Sequence, residues 1–197
     1  MPPPAYLVHA ASRRRPSVWL EAQAPGYFSE RFDTHDFCSA WPPAIREIRG
    51  LSYAVPDAVL WTGPGPLISS RAVDFLREVA PGCANYVFFT SIKGKDFYVV
   101  DVLDGADVLD DSRSDVSRSP SGGLMNINRH AFAKSAPIPA LFKLRGRLDG
   151  DLYCSPSTAV AIYDSGLRGF SFWNPLVSHI RDLFLGKDVS CVPMLGA

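Results

Sequence analysis

The chain has 197 residues, with 20 Lys and Arg against 20 Asp and Glu, so its formal net charge is zero. That balance excludes a general nucleic-acid binder, which needs a basic surface to displace counterions. The length lets one domain, or one domain with a smaller N-terminal lobe, bury a core without staples.

The apolar fraction of 47% is ordinary for a globular chain, and no apolar run approaches the roughly 20 residues of a membrane span. Arg13-Arg14-Arg15 is followed by Pro16-Ser17-Val18-Trp19-Leu20-Glu21 and not by the apolar region of a secretory signal. Cys38, Cys83, Cys154 and Cys191 are widely spaced and form no C-x-x-C pair. Neither a zinc site nor a disulfide framework fits that spacing, so the cysteines read as small buried hydrophobes in a reducing compartment. The expected location is the cytoplasm, with no membrane contact.

In chain order, Ala5–Ala10 and Ser17–Leu20 read as strands of an irregular, β-containing lobe that runs to residue 63. Pro42 to Gly50 reads as a short helix, with proline in its first turn and glycine past its end. Gly63-Pro64-Gly65-Pro66 breaks regular structure and marks a boundary. Residues 64–197 would form the main domain, or the two parts one continuous domain.

Ser69 is a good N-cap, with Ile68 and Val73 placed as a hydrophobic staple. Ala72, Val73, Leu76, Val79 and Ala80 make an apolar stripe at helical spacing, ended by Pro81-Gly82. Tyr86–Ile92 and Phe97–Leu103 are rich in aromatic and β-branched residues. Joined by Lys93-Gly94-Lys95-Asp96, they predict an antiparallel hairpin.

After a stretch rich in Ser, Asp and Gly, Leu124–Asn128 reads as a strand and Ala140–Arg145 as a half-exposed one. Ser155-Pro156 repeats the cap-plus-proline start of a helix with Val160, Ile162 and Tyr163 on its apolar face. Gly166 suits the left-handed C′ position and Leu167 packs back. Asn174-Pro175 would open a final helix ending at Gly186. Locally paired strands with few, separate helices predict an α+β fold with a mostly antiparallel sheet.

Reactive groups are scarce. Six aspartates (Asp101, Asp104, Asp107, Asp110, Asp111 and Asp115) fall within fifteen residues, yet their spacing lacks the glycine and glutamate of an EF-hand loop. A solvated turn, or a negatively charged contact surface for a basic partner, fits better than a metal site. Around Leu109-Asp110-Asp111-Ser112-Arg113-Ser114 the chain has a polar feature with no evident structural duty. Asp104, Asp107, Asp110, Asp111, Arg113 and Asp115 are therefore the candidate partner-binding residues.

His9, His35, His130 and His179 are scattered, and no motif selects a pair such as Cys154 with His130 or His179. Ser69 and Ser155 serve as caps and stand in no G-x-S-x-G elbow. Gly63-Pro64-Gly65-Pro66 lacks the amide donors and the Lys of a phosphate loop. No catalytic residue, metal or cofactor is expected. The aromatics Trp19, Trp41, Trp61, Trp173, Phe88, Phe89, Phe142, Phe170 and Phe172 read mostly as core, with some available as interface anchors.

The order PLISSRAVDFL, FYVVDVLDGADVLDDSRS, ALFKLRG and YCSPSTAVAIYDSGLRGFSF resembles a bacterial immunity-protein family of polymorphic-toxin systems, once labelled a domain of unknown function. The matching positions are Ser69, Leu109, Asp110, Ser114, Phe142, Leu144, Ser155, Gly166, Leu167, Gly169 and Phe172, and the resemblance covers Pro66 to Phe172. Ser69, Ser155, Gly166 and Gly169 would be its structural positions. The resemblance implies a protein encoded beside a toxin, which binds that toxin and blocks it without catalysis. The chain departs from the family in the apolar run Ala159-Val160-Ala161-Ile162, which would face the core, a partner or a second copy in a homodimer. Two other classes compete: a small hydrolase or transferase using Cys154 or an Asp/His pair, and a self-associating adaptor.

Overall fold

A computed structural model describes residues 5–10, 19–22, 45–49, 55–61, 65–103, 105–120, 122–133, 136–146, 151–173 and 175. Its strands are β1 (Tyr6–Ala10), β2 (Trp19–Ala22), β3 (Ile45–Arg49), β4 (Ala58–Trp61), β5 (Leu67–Ser69), β6 (Ala84–Ile92) and β7 (Lys95–Val102). They continue with β8 (Gly105–Ala106), β9 (Asp115–Arg118), β10 (Leu124–Arg129), β11 (Leu141–Leu144), β12 (Tyr153–Cys154) and β13 (Phe170–Trp173). The helices are α1 (Ser70–Val79) and α2 (Pro156–Asp164).

Among the described residues three sheets form, in the orders β3-β2-β4-β5-β7-β6, β13-β1-β12-β11-β8 and β10-β9. All pairings are antiparallel except β2 with β4 and β8 with β11. The fold is thus α+β, as the strand and helix pattern predicts. Strands from both sides of position 63 share the two larger sheets: β4 pairs with β5, and β1 pairs with β12 and β13.

Burial on both faces explains the composition of the central strands. On β1, Val8 enters a core with α1 and α2, while Leu7 enters a second core under the β9–β10 ribbon. On β12, Cys154 and Tyr153 divide in the same way. On β7, Val100 and Val102 face the helices, while Phe97 and Val99 join Trp61, Leu67 and Phe89 on the far side of the six-stranded sheet. A strand with two covered faces needs apolar residues at every position, since successive side chains point opposite ways.

Local signals set the helix ends. The Ser69 hydroxyl accepts from the Ala72 amide at 3.3 Å and the Ser155 hydroxyl from the Thr158 amide at 3.2 Å. Ile68 and Val73 are both buried in one core, as a staple requires. Gly166 has a φ of +71°, and its amide reaches the Tyr163 carbonyl. Ser165 completes this stop. Its hydroxyl donates to the Ile162 carbonyl at 2.6 Å and accepts from the Leu167 amide at 3.2 Å, bridging the pair that a Schellman motif joins directly.

Four expectations need correction. Residues 45–49 are a strand, because a nine-residue helix is marginal alone and Ile45 and Ile48 favour the ladder with β2. The hairpin turn is shorter than read: Lys93 and Gly94, with φ of +50° and +74°, form it, and Lys95 and Asp96 already belong to β7. Strand β11 is covered on both sides, with Leu141 in one core and Phe142 and Leu144 in the other. The inward face of α2 is Thr158, Ala159 and Ile162, while Val160 is half-buried and Tyr163 is exposed. The final helix from Asn174 to Gly186 lies outside the described residues, apart from Pro175.

Candidate functional site

The candidate contact region runs from the end of β7 through the turn at 110–114 and the β9–β10 ribbon to Ala131. Leu124 and Ile127 anchor the ribbon in the second core, and Leu109 bridges to Phe132. The turn is closed by its own backbone: the Arg113 and Ser114 amides donate to the Asp110 carbonyl at 3.1 and 2.9 Å. It is then tied to the end of β10. The Asp110 amide and the Ser114 hydroxyl donate to the Ala131 carbonyl, and the Ala131 amide donates back to the Ser114 hydroxyl at 2.9 Å. Asp110 and Ser114 therefore have a structural duty that the sequence does not reveal.

The aspartates do not make a uniformly acidic surface. Asp101 lies 3.5 Å from Lys143, Asp107 lies 3.9 Å from Arg145, and Asp110 lies 3.7 Å from Arg113. Asp111 pairs with Arg118 on β9. Asp115 is exposed at the start of β9, and Asp104 lies outside the described residues. Each cation enters from a neighbouring turn or strand, so the patch carries both signs. The Ser112 hydroxyl is the main influence holding the Asp110 carboxyl below its ordinary value, helped by the Arg113 guanidinium and the nearby amides against slight desolvation.

A cleft of about 400 Å³ opens beside the turn, lined by Arg113, Arg129, His130 and Ala131. His130 is buried, with Nε2 2.9 Å from the Tyr153 hydroxyl and its ring stacked near Phe132. Tyr153, fully buried, stacks in turn on Phe142. Met125, Asn126, Asn128 and Arg129 project to solvent from β10, and Ser117 and Arg118 from β9.

The residues considered for covalent chemistry are held apart. His130 meets Tyr153 on the side of the second core, whereas Cys154, the next residue of the strand, points into the first. A thiol–imidazole pair would need both on one face. Burial also pushes the Cys154 thiol above its ordinary value, which suppresses the nucleophilic thiolate. Ser69 and Ser155 are occupied as caps. His9 lies on β1, and His35, His179, Cys38, Cys191 and Trp41 lie outside the described residues. Among the described residues no cluster of His, Cys, Asp or Glu has the arrangement of a metal site, and no helix is long and apolar enough to cross a membrane.

Sequence reasoning missed a second polar centre. Asp57, 2% exposed, accepts from the Ser69 hydroxyl at 2.9 Å, the Lys95 ammonium at 3.2 Å and the Arg168 amide at 3.0 Å. Arg71 stands 3.6 Å from the same carboxylate, and its guanidinium donates to the Ser165 carbonyl at the end of α2. Burial opposes ionisation of Asp57, but the Arg168 amide, the Ser69 hydroxyl and Lys95 outweigh it and hold the carboxyl below its ordinary value. Gly169 passes so close that a Cβ there would meet the Ala58 carbonyl at 2.4 Å, at a φ of +92°. A lone acid in Pro56-Asp57-Ala58-Val59 was the available signal, but its partners lie up to 111 residues away. The centre joins β4, α1, the hairpin and the segment after α2, and it is a fastening.

Comparison with protein-family models gives no match to this chain, and comparison with curated proteins gives none either.

Proposed function

We propose that this chain is a bacterial, cytoplasmic immunity protein that binds a cognate toxin encoded beside it and neutralises it by stoichiometric occlusion. The observation that carries this reading is the turn and ribbon. A backbone fixed by the Asp110, Ser114 and Ala131 hydrogen bonds presents Arg113, Arg118, Met125 and Arg129 outward with Asp111 and Asp115. Arg and Met are enriched at protein interfaces, and a surface with fixed charges of both signs can match one partner and reject others. The resemblance over Pro66 to Phe172 supports the same reading. Opposed placement of Cys154 and His130 counts against the hydrolase alternative.

Co-expression with the product of the adjacent reading frame, scored by growth, tests the proposal. Rescue is expected for the wild-type chain, and Asp111→Lys combined with Met125→Asp should abolish it while the protein stays folded. Loss of rescue on Cys154→Ala in a folded protein would point to catalysis instead. Self-association without any complex would point to an adaptor.

A further inference from the structure

Three of the four residues lining the cleft beside the turn are basic: Arg113, Arg129 and His130. Arg113 and Arg129 are exposed side chains that border the same cleft, so their like charges repel each other across it. One is partly balanced, since Arg113 stands 3.7 Å from the Asp110 carboxylate. That separation is longer than a hydrogen bond, so the Arg113 donors are not consumed by it. Among the described residues Arg129 faces no carboxylate within ion-pairing distance, and its contact is a long one, 3.4 Å, to the Arg113 carbonyl. With Asp110 counted, the described residues of the cleft carry a net positive charge.

The walls are rigid. His130 is fixed by Tyr153 and by ring contacts to Phe132, and the backbone of Ala131 is tied at both its amide and its carbonyl to the turn. Arg113 comes from the turn and Arg129 from the end of β10, so the hydrogen bonds that close the turn hold the two backbone positions from which these side chains enter the cleft. A cavity of about 400 Å³ is near the lower end of the range for small-molecule sites, about 300–1,000 Å³. It has room for a small acid or one acidic side chain.

We infer that this cleft is an oxyanion site, in which Arg113 and Arg129 clasp a carboxylate or phosphate group between them. Guanidinium forks match such groups with paired N–H donors, and the anion removes the repulsion between the two arginines. The inference goes beyond the toxin reading and holds whether or not a toxin is the partner. Its sign is opposite to that of an acidic patch seeking a basic partner: the fixed pocket in this surface selects negative charge.

The test is a titration of the full chain at ionic strength of about 0.1 M, where exposed charges are largely screened. Inorganic phosphate is one probe and a short glutamate-containing peptide the other, followed by calorimetry and by the arginine side-chain NMR signals. Saturable binding of phosphate identifies a site for free anions, and saturable binding of the peptide alone identifies a seat for an acidic side chain. Either result supports the site if Arg129→Gln weakens it by about tenfold or more. Arg77→Gln, which removes an exposed guanidinium on α1 outside the cleft, should leave the affinity unchanged. Thermal melting of each variant separates loss of binding from loss of fold, and Arg129→Lys should recover part of the affinity. No saturable binding of either probe, or equal binding by a folded Arg113→Gln/Arg129→Gln variant, overturns the inference.

Discussion

Asp57 and Asp110 have the same chemistry around them, a hydroxyl, a cation and a backbone amide, yet they serve the chain differently. Asp57 is buried, and its donors come from segments 12 to 111 residues away. Asp110 is near the surface, and its donors Ser112 and Arg113 are two and three residues away. A carboxylate whose donors are distant fastens elements that would otherwise separate. One whose donors are adjacent shapes a single turn and leaves the turn's outward side chains available to a partner. Burial and sequence separation, more than residue type, decide the role.

Breaking the buried centre should produce the largest effect. Asp57→Ala leaves the Ser69 hydroxyl, the Arg168 amide and the Lys95 ammonium without their acceptor. Urea unfolding should show a loss of about 2–3 kcal/mol, with the charged partners discounted because Lys95 and Arg71 reach solvent. Asp111→Ala, which removes an exposed ion pair with Arg118, should change stability by less than about 0.5 kcal/mol. Equal losses at the two sites would erase the distinction.

The glycine at the same fastening sharpens the contrast. Gly169→Ala would place a Cβ 2.4 Å from the Ala58 carbonyl and 2.8 Å from Pro56, at positive φ, and should cost about 2 kcal/mol or more. Gly82→Ala shares the positive φ of +71° but meets open space, so about 1 kcal/mol is expected. Thermal melts of the two variants give the ranking.

Acid titration separates the carboxylates by another route. Folding lowers the Asp57 carboxyl below its ordinary 3.8. The unfolded chain therefore takes up the proton first as pH falls, and the stability that Asp57 contributes above about pH 4 is lost below it. Asp57→Asn should flatten this acid limb in pH-dependent unfolding, whereas Asp110→Asn, whose carboxyl is also held low but by donors within its own turn, should flatten it less.

A smaller effect than at Asp57 belongs to Tyr86, whose hydroxyl is buried with no hydrogen-bond partner among the described residues. Burial, and to a lesser degree Cys83, pushes its ionisation from 10.0 up to about 12 against the pull of Arg77. The folded chain keeps a proton that the unfolded chain releases, so stability declines as pH rises from 10 toward 12. Tyr86→Phe should remove that decline and, at neutral pH, match the wild type or exceed it by up to about 1 kcal/mol.

Sequence signals were clearest where structure is local. Ser69, Ser155, Gly166 and the hairpin near Gly94 follow from capping and turn chemistry within a few residues, and the α+β class follows from them. Features set by distant pairing were not legible. Residues 45–49 became a strand because β2 lies beside them, and β11 is covered on both faces because cores form there, with Lys143 left partly exposed. At the contact region the aspartates were visible as a run. Their cations, Lys143, Arg145, Arg113 and Arg118, are recognisable as partners once β8, β9 and β11 are in place. Asp57 was hidden for the same reason.

The proposed neutralisation by occlusion, without chemistry, is tested by titrating the purified chain against a fixed amount of the proposed toxin from the adjacent reading frame while its activity is followed. Residual activity should fall in proportion to added protein and vanish at equimolar amounts, with Cys154→Ala superimposing on the wild type. Complete protection at amounts far below equimolar, or its loss in a folded Cys154→Ala variant, would contradict the account.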